Sequence, residues 1–199
     1  FGRARVLPIL MRWLEEHSGL IPHITFSDGF IEPFQEGVDV QVRIGGADTW
    51  PDTVGQRLLG REWHVLCAAP GYLARRGTPL TERDLDDHPC IAYGWVDGTV
   101  SPWTFAGDST GTTLRRHVPA RLVVGNGEGL LMAALAGSGI AQLPSWLIQQ
   151  QLADGSLVEV LPHLASEGLP IHLAWIKNRQ ALPRVSTLLQ VLTAELTAR

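Results

Sequence analysis

The sequence predicts an α/β fold in which helices connect parallel strands. Its first third alternates helix, strand, helix and strand, the order that pairs strands in parallel through crossover helices. A second set of helices and strands follows Pro70. Residues 123–141 then give a strand, a polar turn, a helix, a glycine stop and another strand. The 199 residues suffice for one large domain or two small ones.

In the first third, hydrophobic periodicity defines the predicted helices and strands. Six residues of the first helix fall on one face at the 3.6-residue period: Val6, Ile9, Leu10, Trp13, Leu14 and His17. Gly19 ends this helix, and alternating apolar residues mark the strand that ends at Ile44. The predicted order is a helix at 4–17, a strand at 22–27, a short helix at 31–35, a strand at 38–44, and strands at 58–59 and 63–68.

The remaining elements are delimited by capping residues, glycines and prolines. Thr81 and Asp84 resemble a capping box at the start of a short helix, Ser145 can cap a later helix that Gly155 ends, and Pro183 opens the last, amphipathic helix. The other predicted elements are a helix near 72–76, strands at 91–93, 103–105 and 121–124, a hairpin turn or loop at 107–113, a helix at 127–136, and strands at 140–143, 157–161 and 171–176.

Composition excludes several classes of function. A net charge of −4 and a pI near 6.0 argue against DNA binding by this segment alone, because phosphate contacts need clustered Lys and Arg. Two cysteines predict no disulfide scaffold and favour a reducing, cytoplasmic compartment. No apolar run approaches the roughly 18 residues of a membrane span. The seven histidines show no metal-ligand spacing, so neither a metal nor a cofactor is predicted.

Two apparent catalytic or cofactor-binding motifs lack the neighbouring residues or secondary structure that their function requires. Gly107–Gly111 matches G-x-S-x-G around Ser109, but a nucleophile elbow needs a strand before it and a helix after it. Residues 112–124 instead predict extended structure. The Gly125-x-Gly127 pair is not a dinucleotide fingerprint, since the third glycine position holds Leu130. We therefore predict that the chain is not an enzyme.

The polar turn at 126–128 is the leading candidate for ligand binding. It places Asn126, Gly127 and Glu128 at a helix N-terminus, where backbone N–H groups and the helix dipole favour an anion or a hydrogen-bond acceptor. The alternative is that Asn126 serves only as an N-cap.

Further candidates follow other predicted strands, where α/β sheets place ligands. Ser27 and Asp28, with Phe30, come after a strand, although they could simply cap a helix. Arg43 could hold a carboxylate in a bidentate pair, or pair structurally with a residue such as Asp39 or Asp48. Tyr93, Gly94 and Trp95 follow another strand, and the alternative to a stacking role for Trp95 is a place in the core. The predicted ligand-binding set is Phe1, Ser27, Asp28, Phe30, Arg43, Ile44, Tyr93, Gly94, Trp95, Asn126, Gly127, Glu128 and Pro144.

The order and spacing of several short motifs resemble the effector-binding domain of LysR-type transcriptional regulators over essentially the whole chain. Each motif is weak alone, but their joint order is specific. They are Phe1-Gly2-Arg3, Ser27-Asp28, Gly37–Gly45, Cys67–Leu73, Asp84-Leu85, His88–Ile91, Asn126–Glu128 and Gly137–Ala141.

This resemblance implies a fold like the type 2 periplasmic binding proteins, with two Rossmann-like α/β subdomains, two crossing strands and a ligand cleft between the subdomains. Subdomain one would be 1–66 plus 173–199 and subdomain two 67–172, with crossings near 66–68 and 172–174. The family register would turn Phe1 and Arg3 toward the cleft. The resemblance also implies a strand before Phe1 and an upstream winged helix-turn-helix. We therefore expect the chain to be part of a longer protein, whose only DNA contacts are in that upstream domain.

The leading hypothesis is a cytoplasmic domain that senses a small polar or anionic effector. The alternatives are a periplasmic solute-binding protein of the same fold and a hydrolase. Helix 4–17 and helix 127–136 both carry rich apolar surfaces, and in the resembling family they meet across an antiparallel dimer. We expect a homodimer through these helices. The alternative is that the apolar surface of each helix is buried within its own subdomain.

Overall fold

The computed structural model describes residues 1–27, 37–45, 50–107 and 112–197. Within these ranges the chain forms two compact units, residues 1–61 with 169–199 and residues 62–168. Two long strands, β2 (Val54–Ala68) and β9 (Ser166–Ile176), contribute to both. The predicted boundaries, after residues 66 and 172, fall in these same strands. The predicted helix at 31–35, Asp28, Phe30, Asp48 and Ser109 lie outside the described residues.

The first unit packs two helices against a small antiparallel sheet. A π-helical turn at Gly2–Val6 leads into α1 (Leu7–Glu15), and the unit also holds β1 (Val40–Ile44), a 3₁₀ turn at Lys177–Arg179 and α5 (Pro183–Leu196). β1 pairs antiparallel with β9. Their apolar faces meet the helices in one core cluster: Val6, Ile9, Leu59, Ile171, Leu173, Val185, Leu189, Leu192 and Leu196. The amphipathic pattern of both helices is thus explained by this burial.

The second unit is built on a mixed sheet and contains most of the remaining elements. They are α2 (Pro70–Arg76), a 3₁₀ helix (Glu82–Asp87), β3 (Cys90–Tyr93), β4 (Trp103–Ala106), β5 (Thr113–Arg116), β6 (Ala120–Val124), α3 (Gly127–Leu135), β7 (Ile140–Pro144), α4 (Ser145–Ala153), β8 (Val158–Val160) and a 3₁₀ turn (Pro162–Leu164). β3 pairs in parallel with β6 and β7, whereas β2 pairs antiparallel with β7 and β8. β4 and β5 form a separate hairpin.

Both faces of this sheet are covered, as the alternation of its buried residues shows. Cys67, Ile91 and Ala141 belong to one core cluster, which includes residues of α3 and α4. Their strand neighbours Leu66, Cys90 and Ile140 belong to another, which includes Tyr72 of α2 and two residues of the β4–β5 hairpin. Successive strand residues point to opposite faces, so near-continuous apolar runs are what a doubly covered sheet requires.

Several predicted helices are confirmed, together with the signals that delimit them. Asn126 caps α3, and Gly137 follows it with a positive φ of 70°, the left-handed conformation that glycine adopts readily. The capping box of Thr81 and Asp84 forms at the start of the 3₁₀ helix. Pro183 occupies the first position of α5. At these three helices, local capping chemistry predicts the start or the end correctly.

Three predictions about strands and helix starts are wrong, and one is confirmed. Residues 22–27 form no strand; most are exposed and no described strand pairs with them, so their apolar residues gain little burial. The two strands at 58–59 and 63–68 are one continuous strand, β2. The extended structure predicted from residue 112 onward is confirmed at 113–116, which form β5 and close a hairpin with β4. Pro144, not Ser145, is the N-cap of α4.

The predicted parallel pairing in the first third is also wrong for the described residues. β1 pairs with β9, which comes from the end of the chain and runs antiparallel to it. In the second unit, parallel pairs do form between β3 and each of β6 and β7. The alternation of helix and strand predicts direction only when consecutive strands become neighbours, and β1 instead takes a partner that is distant in sequence.

Candidate ligand site

Three parallel strands of the second unit end at one edge, and two helices begin there. Tyr93 at the end of β3 pairs with Val124 at the end of β6, and β7, the other neighbour of β3, ends at Pro144. α3 and α4 start directly after β6 and β7. The carboxyl edge of parallel strands is where open α/β sheets bind ligands. The structure thus brings together the predicted residues 93–95, 126–128 and 144.

The two helix N-termini lie close to each other. A Cβ added at Gly127, the first residue of α3, would stand 3.5 Å from Leu147 Cδ2 in the first turn of α4. The positive ends of two helix dipoles therefore act on the same region. Both helices are nine residues long, which is enough to sustain a dipole. The arrangement favours a ligand with negative charge or hydrogen-bond acceptors.

Asn126 has the capping role that the sequence analysis kept as its alternative. Its Oδ1 accepts a 2.7 Å hydrogen bond from the Gly129 N–H. Capping uses the amide oxygen and leaves the amide NH₂ as a donor group at the same turn. Glu128, exposed in the first turn of α3, offsets part of the helix dipole and opposes the binding of an anion. Capping and binding are therefore compatible at Asn126.

Two glycines allow the turns at this edge to approach each other. The Gly94 N–H donates to Val124 O at 3.1 Å, and a Cβ built on Gly125 would lie 3.1 Å from Gly94 O. A Cβ on Gly94 would meet Val123 Cγ1 at 2.3 Å, a distance that real contacts do not reach. The residues that follow these glycines, Trp95 and Asn126, are consequently brought to the same edge.

Trp95 is not a core residue, which removes the alternative that the sequence analysis left open. Its side chain is 49% exposed, and its ring lies edge-to-face with Tyr93 at 5.1 Å between centroids. The indole Nε1 donates to Ser101 Oγ at 2.8 Å. Tyr93 itself packs against the core cluster that includes residues of α3 and α4. The pair thus extends from the core to the surface at the strand ends.

In the first unit, Arg43 belongs to a cluster that the sequence did not reveal. Its guanidinium carbon lies 5.9 Å from the centroid of the Trp50 ring, within the range of a cation–π contact. Arg43 opposes His172 across the β1–β9 pair, and the rings of Trp50 and His172 meet edge-on at 5.9 Å. Of the two suggested ion-pair partners, Asp39 pairs with Arg179 and Asp48 lies outside the described residues.

The charges of Arg43 and Arg61 make the surroundings of His172 electropositive. Burial and, after it, the charges of Arg61 and Arg43 lower the pKa of His172 from its ordinary value of 6.5. Its Nδ1 is buried without a hydrogen-bond partner among the described residues. Two guanidinium groups near a neutral imidazole make the first unit a second place where a carboxylate would be favoured.

The other predicted residues of the first unit occupy different surroundings. Phe1 and Ile44 pack against the core cluster of that unit, and Ile44 pairs with Ile171. Ser27 is exposed in a segment without regular structure. The assignment of these three residues to a ligand site stays a prediction.

Pro144 has neighbours that the sequence analysis missed. It pairs with His64 across β2 and β7, and His64 Nε2 lies 3.1 Å from Glu62 Oε2. Glu62 is only 7% exposed and accepts a 3.4 Å hydrogen bond from Trp146 Nε1. A buried carboxylate is costly unless it is paired, and these contacts supply the pairing. Residues 62–64 and residues 144–146 are far apart in sequence, so only the register of β2 with β7 could have revealed this group.

A surface cavity of about 510 Å³ lies in the first unit. It is lined by Trp50, Pro51, Asp52, Val54, Gly55, Gln56, Trp175, Lys177 and Gln180. None of the residues predicted from the sequence lines it. Trp50 connects this cavity to the Arg43 cluster, because it borders the cavity and also contacts Arg43.

The described ranges contain no cluster suited to a metal ion, no membrane-spanning helix and no exposed cysteine thiol. No group of three or more His, Cys, Asp or Glu side chains there is arranged to hold a metal ion. No helix within those ranges is both long and apolar enough to cross a membrane. Cys67 and Cys90 are free and buried, and burial is the main cause that raises the pKa of each thiol to about 12. Such thiols are poor nucleophiles at neutral pH.

Comparison with known proteins identifies relatives among transcriptional regulators. An uncharacterized HTH-type transcriptional regulator of Haemophilus influenzae is 30% identical over 183 residues, covering 92% of this chain and 62% of the relative. The HTH-type transcriptional activator TtdR of Escherichia coli K12 is 30% identical over 165 residues, covering 83% of this chain and 52% of the relative. The chain thus spans between about half and two thirds of the length of these relatives.

Solved structures show the same fold. The regulatory domain of AphB from Vibrio vulnificus matches with a TM-score of 0.81 at 22% identity, covering 97% of this chain and 93% of the other. The regulatory domain of CrgA, a LysR-type transcriptional regulator from Neisseria meningitidis, matches with a TM-score of 0.83 at 24% identity, covering 98% and 93%. These likenesses confirm the predicted α/β fold, similar to that of periplasmic binding proteins.

The match to a family model covers nearly the whole chain and agrees with the motifs read from the sequence. The model described as the LysR substrate binding domain matches residues 1–197. Together with the regulators that resemble it in sequence and the regulatory domains that resemble it in fold, this match confirms the family resemblance. The chain belongs to the family of LysR substrate-binding domains.

Proposed function

We propose that this chain is the ligand-sensing domain of a transcriptional regulator and that its effector is a small polar or anionic metabolite. The observation that carries the proposal is the edge where β3, β6 and β7 end and where α3 and α4 begin. Donor groups and two helix dipoles act together there. The assignment of Arg43 and Asn126 to the binding of this effector is part of the proposal.

Electrostatics supports an anionic effector despite the net charge of −4. Arg43 and Arg61 are close enough to His172 to lower its pKa, so the first unit offers positive charge near the end of β1. In the second unit, the first turns of α3 and α4 offer backbone N–H groups. Local field, rather than total charge, governs the binding of a small ion.

The parent protein would transmit ligand binding to an upstream winged helix-turn-helix. A ligand can shift such a regulator only if it binds one conformation more tightly than the other. We propose a cytoplasmic, non-enzymatic protein in which this chain contacts no DNA itself. The relatives named above are transcriptional regulators, and this favours the regulator over the periplasmic solute-binding protein.

Calorimetry with matched acid and amide probes tests the proposal. Succinate and succinamide differ in charge but little in size, and the acid should bind more tightly at a fixed ionic strength. Arg43→Ala and Asn126→Ala should each weaken acid binding by about 1–3 kcal/mol, the value of a hydrogen bond to a charged group. Equal binding of the acid and the amide, or unchanged affinity in both variants, would contradict an anionic effector.

A further inference from the structure

The loop that carries Trp95 is held by hydrogen bonds along its whole length. The Trp95 N–H donates to Thr99 O at 2.8 Å, the Gly98 N–H donates to Trp95 O at 2.9 Å, and the Ser101 N–H donates to Tyr93 O at 2.8 Å. Asp97 Oδ1 accepts bonds from the Thr99 N–H at 2.9 Å and from its hydroxyl at 2.7 Å. A loop with this many internal bonds holds its side chains in a fixed geometry.

The indole of Trp95 is fixed as well, although it is not buried. Its Nε1–H donates to Ser101 Oγ at 2.8 Å, and its edge contacts Tyr93. Trp95 nevertheless remains 49% exposed, and Val96 beside it is fully exposed. The usual reason to order a tryptophan is the burial of its large apolar surface. Here a hydrogen bond to Ser101 and the ring of Tyr93 set the orientation of a side chain that stays about half exposed.

A flat side chain held open in this way can take either a cation or a second ring. A cation is disfavoured at this position, since the loop lies beside the N-terminus of α3, where the helix dipole is positive. The nearest carboxylate in the loop, Asp97, is already bonded to Thr99. A planar ring that also bears a negative group suits the indole and the N-terminus of α3, where Glu128 in the first turn offsets only part of the helix dipole.

We propose that Trp95 is a stacking surface that selects the effector, and that this effector is an aromatic carboxylate. The inference rests on the proposed function, because it assigns the ring to Trp95 and the carboxylate to the electropositive groups of the same site. It narrows the effector from any small anion to one with a planar, unsaturated ring. Trp95 is thus a specificity-determining residue.

Benzoate and cyclohexanecarboxylate are the probes that test this inference, since they share charge and approximate size but only benzoate is planar. Calorimetry on the full chain should give benzoate an affinity about two- to tenfold higher, as a stacked aromatic pair contributes. Trp95→Ala should abolish this ratio, whereas Trp95→Phe should keep most of it. Ser101→Ala, which removes the acceptor of the indole N–H, should reduce the ratio without removing the ring.

The possible results distinguish a failure of the stacking role of Trp95 from a failure of the proposed effector-binding function. An equal affinity for both acids, or a ratio that Trp95→Ala leaves unchanged, would overturn the stacking role while leaving an anion site intact. Failure of both acids to bind, with succinate also inactive, would overturn the proposed function as well. Tighter binding of benzylamine than of benzoate would show that the indole takes a cation. Leu80→Ala, at another exposed apolar position, is the matched control, and circular dichroism checks the fold of each variant.

Discussion

Asn126 combines a structural and a proposed binding role, and a charge change can separate the two. Asp caps a helix as well as Asn does, so Asn126→Asp should leave thermal stability unchanged. The added negative charge and the lost amide donor should nevertheless weaken the binding of benzoate or succinate. Asn126→Ala should instead lower the unfolding free energy by about 1 kcal/mol, because the bond to the Gly129 N–H is lost. Thermal denaturation and calorimetry on both variants check this prediction.

The depressed pKa of His172 predicts a loss of stability in acid. Because burial and the charges of Arg61 and Arg43 favour the neutral ring in the folded state, the unfolded chain binds a proton at higher pH than the folded chain. The stabilising contribution is complete above the ordinary pKa of 6.5 and is lost as pH falls toward the lower, folded value. His172→Gln should reduce the loss of melting temperature between about pH 7.5 and pH 5.5.

The control for this experiment is His163→Gln, since His163 is exposed in the 3₁₀ turn that follows β8. It should leave the pH dependence as it is in the unmodified chain. An acid-induced loss of stability equal in the unmodified chain and the His172 variant would mean that other groups account for it.

Helices were easier to predict than strands in this chain, for a physical reason. The signals that start and end a helix are local, and α3 has them in Asn126 and Gly137. A strand depends on a partner that sequence does not reveal. The apolar residues of 22–27 meet no such partner among the described residues, whereas residues 113–116 pair with β4 although most of them are exposed. Pairing, not propensity, decided both cases.

The same distinction separates the site residues that sequence could find from those it could not. Tyr93, Asn126 and Pro144 were predicted because each follows a strand, and parallel pairing brings the ends of their strands to one edge. Trp50 and His172 are separated by more than half the chain, and only the register of β1 with β9 brings His172 opposite Arg43. No local motif could have assigned them to one cluster.

The contact between the starts of β3 and β7 depends on the absence of a side chain at Gly139. A Cβ there would lie 2.3 Å from Pro89 O, a backbone atom, so the neighbour cannot rotate away. Gly139→Ala should therefore lower the unfolding free energy by about 1–3 kcal/mol, the usual cost of overpacking. Gly94→Ala has an equally short contact, but with a methyl group of the partly exposed Val123.

Urea denaturation of both glycine variants would check this difference. Val123→Ala should restore most of the stability lost in Gly94→Ala, because it removes the atom that clashes. No single side-chain change should do the same for Gly139→Ala. Equal and small effects of both glycine substitutions would show that the sheet adjusts freely at its two ends.

The two units are stabilised by separate hydrophobic cores, and each core is formed by that unit's own helices and strands. The first unit buries residues of α1 and α5 in one cluster, and the second covers its sheet with two clusters. Among the elements in the described ranges, β2 and β9 alone contribute residues to both units. Ligand-driven regulation needs parts that stay intact while their arrangement changes, and separate cores provide such parts.

The proposed homodimer depends on apolar surface that the folded chain leaves exposed. On α3, Leu130 and Ala134 are buried, but Met132 is 71% and Leu135 is 39% exposed. On α1, Ile9 and Trp13 are buried in the first unit, and Met11 is 60% exposed. The evidence for a dimer contact is therefore stronger for α3, because its apolar residues lie on more than the one face that is buried within the unit. Leu131 packs partly against a core cluster, so a charge at that position would disturb the fold and not test the dimer.

Met132→Lys is the better test of a twofold dimer through α1 and α3. In an isologous interface each contact occurs twice, so one substitution places two unpaired charges against apolar surface and should convert the dimer to a monomer. Leu80→Lys adds the same charge at another exposed apolar side chain, 78% exposed and outside both helices, and should leave the mass unchanged. Sedimentation equilibrium at about 10 µM, where mass action still populates a dimer of moderate affinity, measures both. A monomeric mass for the unmodified, folded chain would show instead that neither helix needs a partner chain to cover its apolar surface.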